Sequence, residues 1–404
     1  MYYGWKIVIA LFIVLTFCSG LGFYNHAVTL QALVNEKQLS VELASTAVSI
    51  FFLSSGVVGM VIASLLDKHD VRLVITGGAL LAAVALVSIR FITSDWQILL
   101  AYSLFGVGFA ASGLLSATTL ITRWFAKKRA LALSIASTGL SVGGIVITPG
   151  SALLIEAIGI DGSVVIFALL YLVGVIPLTW MLLVSWPADI GLTQDGGKLN
   201  PEITFEPTGT SFTDAVKQTY FWAISIAYVF IMLAQVGALA HQYGLVAEHL
   251  SGEQAALALG VIPITSIIGR LVGGVLLTHF SARPFTLGMM LLQTGSLLML
   301  SQTTDLIGFI AGLALFGVSV GNLLMLQPLL IAETYGQKAY GRIYGLSNML
   351  TTFGIALGPL ILGLIYAEKG FYSASYLAAS LAGLAGFVVY RFMARRKPTL
   401  NQDF

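Results

Sequence analysis

Apolar runs of about twenty residues, split by short polar breaks, fill the chain from residue 5 to residue 392. A helix rises about 1.5 Å per residue, so such a run crosses the roughly 30 Å hydrocarbon core of a bilayer. Twelve runs qualify, over residues 5–24, 43–66, 73–92, 97–122, 130–154, 163–186, 221–243, 254–277, 285–302, 306–331, 343–366 and 372–392. Strands of a membrane barrel would be about half as long and would alternate apolar and polar positions. These runs do neither, so the pattern predicts an all-α membrane protein of twelve transmembrane helices. The longest polar stretch, 187–218, holds Pro187, Pro201 and Pro207 with Gly191, Gly196, Gly197 and Gly209. It reads as a linker between an N-terminal six-helix half (1–186) and a C-terminal one (219–404), with a short amphipathic helix near 212–217.

The halves echo each other. Leu104-Phe105-Gly106-Val107 recurs 211 positions later as Leu315-Phe316-Gly317-Val318, and the same offset carries Arg72 onto Arg283. Pro149 and Pro359 fall 210 apart, each in the fifth run of its half. Small residues Gly139, Gly143, Gly144, Gly354, Gly358 and Gly363 in those fifth runs predict close helix packing.

Composition agrees with a membrane chain: 57% of residues are hydrophobic and only 9% charged, against roughly 25% charged in soluble domains. Mean hydropathy is +0.93. The net charge of +2 says little, but its placement says more. Of the 20 Lys and Arg, 16 lie in the N-terminal segment, the even-numbered loops and the C-terminal tail. Cationic loops stay in the cytoplasm, so both termini are expected there. Arg123, Lys127, Lys128 and Arg129, like Arg391, Arg395, Arg396 and Lys397, then read as topology signals, and no nucleic-acid partner is expected. One cysteine, Cys18, excludes an internal disulfide. The first run is too long for a signal-peptide core and is expected to be retained as a helix.

Arg270 is the one cation deep in any run. A charge at membrane depth costs several kcal/mol or more and usually faces a protein interior or a wet cavity. All 18 Asp and Glu fall in loops or at run ends, Glu156 and Glu333 coming nearest to mid-depth. A bound anion would balance the guanidinium, whose planar fork matches a carboxylate. One deep cation favours a singly charged substrate. The bland alternative is an arginine tied to helix carbonyls.

At this point the residues resemble a known family. Asp67-Lys68-His69-Asp70-Val71-Arg72 is similar to the loop signature of the major facilitator superfamily, with Ala63 and Asp70 where that signature has glycines. The resemblance implies two six-helix halves and a conformational latch involving Asp67 and Arg72. Gly4-Trp5-Lys6-Ile7-Val8 and Arg123-Trp124-Phe125-Ala126-Lys127-Lys128-Arg129-Ala130-Leu131-Ala132 resemble segments of the monocarboxylate transporter family and its bacterial relatives, the oxalate/formate antiporters among them. Gly269-Arg270 matches that family's substrate-binding arginine. Ser266 stands where animal members carry a proton-coupling Asp, and His26 where they carry a Lys. The eleventh run has Asn348 where the oxalate exchangers have a Lys.

The sequence thus predicts a secondary active transporter of a small monocarboxylate, of the lactate or pyruvate class, working by alternating access in a plasma membrane, with a bacterial inner membrane the expected setting. The partners are a small organic anion, a proton and the bilayer; no obligate protein partner and no cofactor is expected. Arg270 would hold the carboxylate. His26 is the proton-coupling candidate, since histidine titrates near neutrality; the alternative is a histidine satisfied by its neighbours at the membrane boundary. Asn25, Gln235, Asn322, Asn348, Ser266, Thr118 and Tyr344 are further candidates for the substrate cavity, each competing with a plain interhelical hydrogen bond. Symport and exchange both stay open, as does efflux of amphiphilic compounds. His69, His241, His249 and His279 read as surface residues. Metal-ligand spacing, a phosphate-cradling loop and an intramembrane acid–base pair are all missing from the sequence, so it predicts neither an enzyme nor a metal site.

Overall fold

The computed structural model describes residues 2–196, 208–251, 254, 258 and 260–394. Much of the expected linker, the start of the eighth run and the tail cations Arg395, Arg396 and Lys397 lie outside the described residues. The chain is all-helical with two compact units, Met1–Pro207 and Thr208–Phe404.

In the first unit the helices are α1 (Gly4–Ser19), α2 (His26–Glu36), α3 (Val41–Lys68), α4 (Val71–Ser88), α5 (Asp95–Ser112), α6 (Leu114–Trp124) and α7 (Arg129–Leu182). The second unit has α8 (Phe212–Val216), α9 (Thr219–Ala247), α10 (Val261–Leu276), α11 (Ala282–Leu300), α12 (Leu306–Tyr335), α13 (Tyr340–Lys369) and α14 (Tyr372–Met393). Among the described residues, each of the twelve apolar runs lies mostly on helix. Short polar residues start several of them. Ser40 caps α3 by accepting from Leu43 N (3.1 Å), and Asp305 caps α12 by accepting from Gly308 N (2.9 Å). Gly370, at φ 80°, ends α13 in the left-handed conformation that favours glycine. The short helix expected near 212–217 is α8, capped by Ser211.

Three departures from the expected runs have local causes. The first run does not stop at Tyr24: a π turn, Gly20–Tyr24, leads straight into α2. The fourth run divides at Gly113 into α5 and α6. The fifth and sixth runs join into α7, broken only at Gly159, whose φ of 70° is helix-incompatible. Glu36 holds that corner, its Oε2 accepting from Ile160 N (2.7 Å).

Within each unit the packing order repeats. α1 runs along α7, and α3 and α4 each run along α5. In the second unit α9 runs along α13, and α10 and α11 along α12. The repeated tetrapeptide sits at equivalent crossings. A side chain on Gly106 would strike the backbone of Phe51, and one on Gly317 would stand 2.8 Å from the carbonyl oxygen of Ile262. Phe51 and Ile262 are themselves 211 apart. Large exposed side chains are apolar along most helices, with Leu73 57%, Leu364 61% and Leu381 59% exposed. Water would not tolerate so much exposed apolar surface, whereas lipid does.

Candidate functional site

In the second unit, α10 and α12 cross at paired glycines. Gly269 faces Val318, Gly273 faces Asn322, Gly317 faces Thr265, and Gly321 faces the main chain of Ser266. Two helices with small residues four apart approach closely in lipid. Arg270 emerges from this seam and is only 1% exposed. Its Nε donates to the main-chain carbonyl of Gly321 (2.9 Å), which fixes the guanidinium plane against α12. Ser266, one turn before it, is also buried. Asn322 spans the same crossing, with Nδ2 donating to Gly269 O and Val318 O, each at 2.9 Å. Its Oδ1 is buried and has no hydrogen-bond partner among the described residues. The structure therefore brings Arg270, Ser266 and Asn322 together at one crossing and gives Asn322 a clear packing task.

The other expected residues of this unit lie on α9 and α13. Gln235 is buried, its Oε1 without a hydrogen-bond partner among the described residues. Tyr344 is buried and stacks on Tyr340 (centroids 5.8 Å, planes at 18°). Asn348 is half-buried, and its carbonyl accepts from Thr352 Oγ1. Sequence reasoning passed over a polar chain beside them. Gln327 on α12 donates through Nε2 to Ser347 Oγ (3.0 Å) and Thr351 Oγ1 (2.9 Å), and Ser225 on α9 donates to Ser347 (2.9 Å). Its signal was Gln327 next to Pro328 inside an apolar run. His241 needs correcting: it is half-buried, with Nε2 2.9 Å from the Pro359 carbonyl oxygen. The proline ring leaves carbonyls in the preceding turn without a backbone donor, but here it is proline's own carbonyl that the imidazole meets. His69, His249 and His279 are exposed, as expected.

In the first unit the π turn delivers Asn25 and His26. Asn25 is 1% exposed, and neither end of its amide has a hydrogen-bond partner among the described residues. His26 is caged by aromatic rings: Phe51 at 4.3 Å, Phe52 at 5.5 Å, Tyr102 at 5.7 Å and Phe105 at 6.2 Å between centroids. Its Nε2 has no hydrogen-bond partner among the described residues. Thr29 ties the turn down, Oγ1 donating to Asn25 O (3.0 Å). π turns recur at functional sites because the widened turn leaves backbone and side chains less committed. Thr118 lies elsewhere on α6, its hydroxyl donating to Leu115 O within its own helix (3.0 Å).

Asp67 and Arg72 stand on either side of the α3–α4 joint. Asp67 pairs with Arg123, whose Nη2 is 3.3 Å from Oδ1. Arg123 also donates to Leu66 O (2.9 Å) and lies 4.3 Å from the Trp186 ring. What read as a topology signal is thus a buried anchor, only 3% exposed. Arg72 pairs with Asp70 (2.9 Å). Burial raises the Asp70 carboxyl, but hydrogen bonds from Arg72 and Ser185, with the Arg72 charge, outweigh it and hold it below the usual carboxylate range. At the foot of the unit Asp195, at φ 58°, accepts from Ala126 N and Lys127 N (3.1 and 2.8 Å). Burial and then the nearby Asp195 charge push the Tyr2 hydroxyl up to about 12.

No group of three or more metal-ligating side chains exists among the described residues. Similarity to known proteins agrees with this architecture. The chain is 25% identical to the MFS transporter asaE of Aspergillus flavus over 91% of its own length and 81% of the relative's. It is 25% identical to the agnestins efflux protein AgnL12 of Paecilomyces divaricatus, covering 82% of this chain and 73% of that one. Among solved structures, FucP in the outward conformation superposes with a TM-score of 0.74 at 16% identity, over 96% of this chain and 98% of FucP. The human organic anion transporter MFSD10 gives 0.69 at 13%, over 96% and 99%. Residues 12–245 and 219–403 match the Major Facilitator Superfamily. This multi-pass membrane protein is a transporter of the Major Facilitator Superfamily.

Proposed function

We propose that the chain moves a small monocarboxylate of the lactate or pyruvate class across a plasma membrane by alternating access between two six-helix halves, coupled to protons, with both termini cytoplasmic. The observation that carries this reading is Arg270, buried in an apolar helix and oriented by the Gly321 carbonyl. A guanidinium has five donors in a rigid fork, and a carboxylate meets one edge of it with two charge-assisted bonds. His26, held in its aromatic cage directly after the π turn, is the proton-coupling residue of this reading. Proton uptake is then tied to a change of state at the π turn. Asn25, neither end of whose amide has a hydrogen-bond partner among the described residues, is the neutral polar contact of the same region. Asp67 and Arg72 act as the latch through their partners Arg123 and Asp70.

Uptake of labelled lactate, pyruvate, acetate, formate and oxalate into proteoliposomes, with and without a pH gradient, tests this. Lactate or pyruvate should accumulate with an inward proton gradient, and Arg270→Gln should cut uptake by roughly 10–100-fold while the protein remains folded. Oxalate–formate counterflow without a gradient would mark an exchanger instead. A second reading, efflux of larger amphiphiles, draws support from the likeness to the agnestins efflux protein. It predicts transport that tolerates Arg270→Gln and none of these anions as substrate.

A further inference from the structure

α3 and α4 meet at the joint His69–Asp70 and then part. Each packs along α5, and they hardly touch each other. The gap between them is a groove of 350 Å³, lined by Ile62 and Leu65 of α3, Leu73 and Gly77 of α4 and Val107 of α5. His69 stands at one end and is the only polar side chain among the described lining residues. Leu65 and Leu73 are exposed along it.

Two features make this more than a gap between helices. The first is Gly77. Its neighbour Gly78 is needed for packing, since a side chain there would stand 2.9 Å from the Gly108 carbonyl oxygen of α5. Gly77 has no such reason: a side chain there would meet nothing within 4 Å. Glycine inside a helix costs about 1 kcal/mol relative to alanine, and here its effect is to keep the groove floor clear. The second is charge. Asp67 is taken by Arg123 and Asp70 by Arg72. Both acids at the joint are neutralised, and Lys68 and His69 are left exposed, with no ion pair among the described residues. Lys68 lies in the last turn of α3 and His69 caps it, where helix carbonyls favour cations.

An apolar groove in lipid, with a surplus cation and an imidazole at its watery end, complements an amphiphile with an anionic head. We propose that the groove between α3 and α4 binds an anionic phospholipid, one acyl chain lying over Gly77 and the phosphate held at Lys68 and His69. The acyl chain supplies the apolar match, and the head group supplies the selectivity.

Native mass spectrometry of the full chain, released from nanodiscs of equal phosphatidylglycerol and phosphatidylcholine with matched acyl chains, tests the assignment. The wild-type chain should retain phosphatidylglycerol in preference, by about five-fold. Gly77→Leu points into open space and should fold normally by thermal unfolding, yet lose the retained lipid. Lys68→Gln with His69→Gln should keep lipid but lose the preference. Equal retention of the two lipids by the wild type would overturn the proposal, as would unchanged retention by Gly77→Leu. A disulfide-linked dimer formed through Leu73→Cys after delipidation would overturn it too, assigning the groove to a second copy of the chain.

Discussion

Arg270 donates through Nε to the Gly321 carbonyl, so its replacement bears on the proposed anion site and on the α10–α12 crossing together. Two variants separate these. Arg270→Gln should cut kcat/KM for monocarboxylate uptake by roughly 10–100-fold, the cost of a lost charge-assisted contact. Arg270→Lys keeps the charge but not the fork and should show mainly a raised KM. If both transport like the wild type while melting normally, the anion sits elsewhere. Arg123 tests structure instead. Arg123→Ala removes a bond to Leu66 O, a partner of Asp67 and a contact with Trp186, and should destabilise the protein by about 2–4 kcal/mol in thermal or denaturant unfolding. The two arginines also show what sequence can disclose about single residues. A cation deep in an apolar run is conspicuous, so Arg270 could be picked out. Arg123 stands among Lys127, Lys128 and Arg129, and nothing in that cluster separates a buried anchor from a solvated charge. Likewise His26 could be named, but its cage could not, because Phe51, Phe52, Tyr102 and Phe105 converge only after α3 and α5 pack.

The helix crossings depend on missing side chains. Gly317→Leu would drive a branched side chain into Thr265 and Ile262 of α10, and overpacking of this kind costs about 1–3 kcal/mol. Thermal stability should fall accordingly, and an unchanged melting temperature would show that the crossing yields easily. The α3–α4 joint carries a pH dependence whose sign is fixed. Asp70 titrates below its ordinary value of 3.8 in the folded chain, so its contribution to stability is fully present above that value and is lost as pH falls through the folded one. Asp70→Asn should lower the neutral plateau of a melting-temperature profile and flatten its acid limb. Elements were mostly legible as apolar runs, because bilayer thickness sets their length. Their breaks were less so. Gly159 and Gly113 interrupt helices, yet many other glycines here sit inside helices without effect, and only the backbone angle tells them apart.

At the scale of the molecule, the proposed coupling between anion and proton is the property to measure. His26→Gln should abolish accumulation driven by a pH gradient while leaving counterflow of labelled against unlabelled substrate near the wild-type rate. Loss of both would make His26 a binding or structural residue, and loss of neither would remove it from the mechanism. The duplicated architecture was legible from one tetrapeptide and its offset, since Gly106 and Gly317 perform the same contact in each unit. The substrate was not legible in the same way, because the fold serves many solutes and only side chains distinguish them. The π turn at Gly20–Tyr24 has its own consequence. A regular helix advances about 100° per residue, and this turn resets the phase of everything after it. Wound instead as regular helix, the same five residues would carry His26 about a quarter-turn further round the axis and out of its ring of aromatics. The first membrane segment therefore works as a crankshaft of two offset throws, and the wide winding of those five residues sets where the imidazole points.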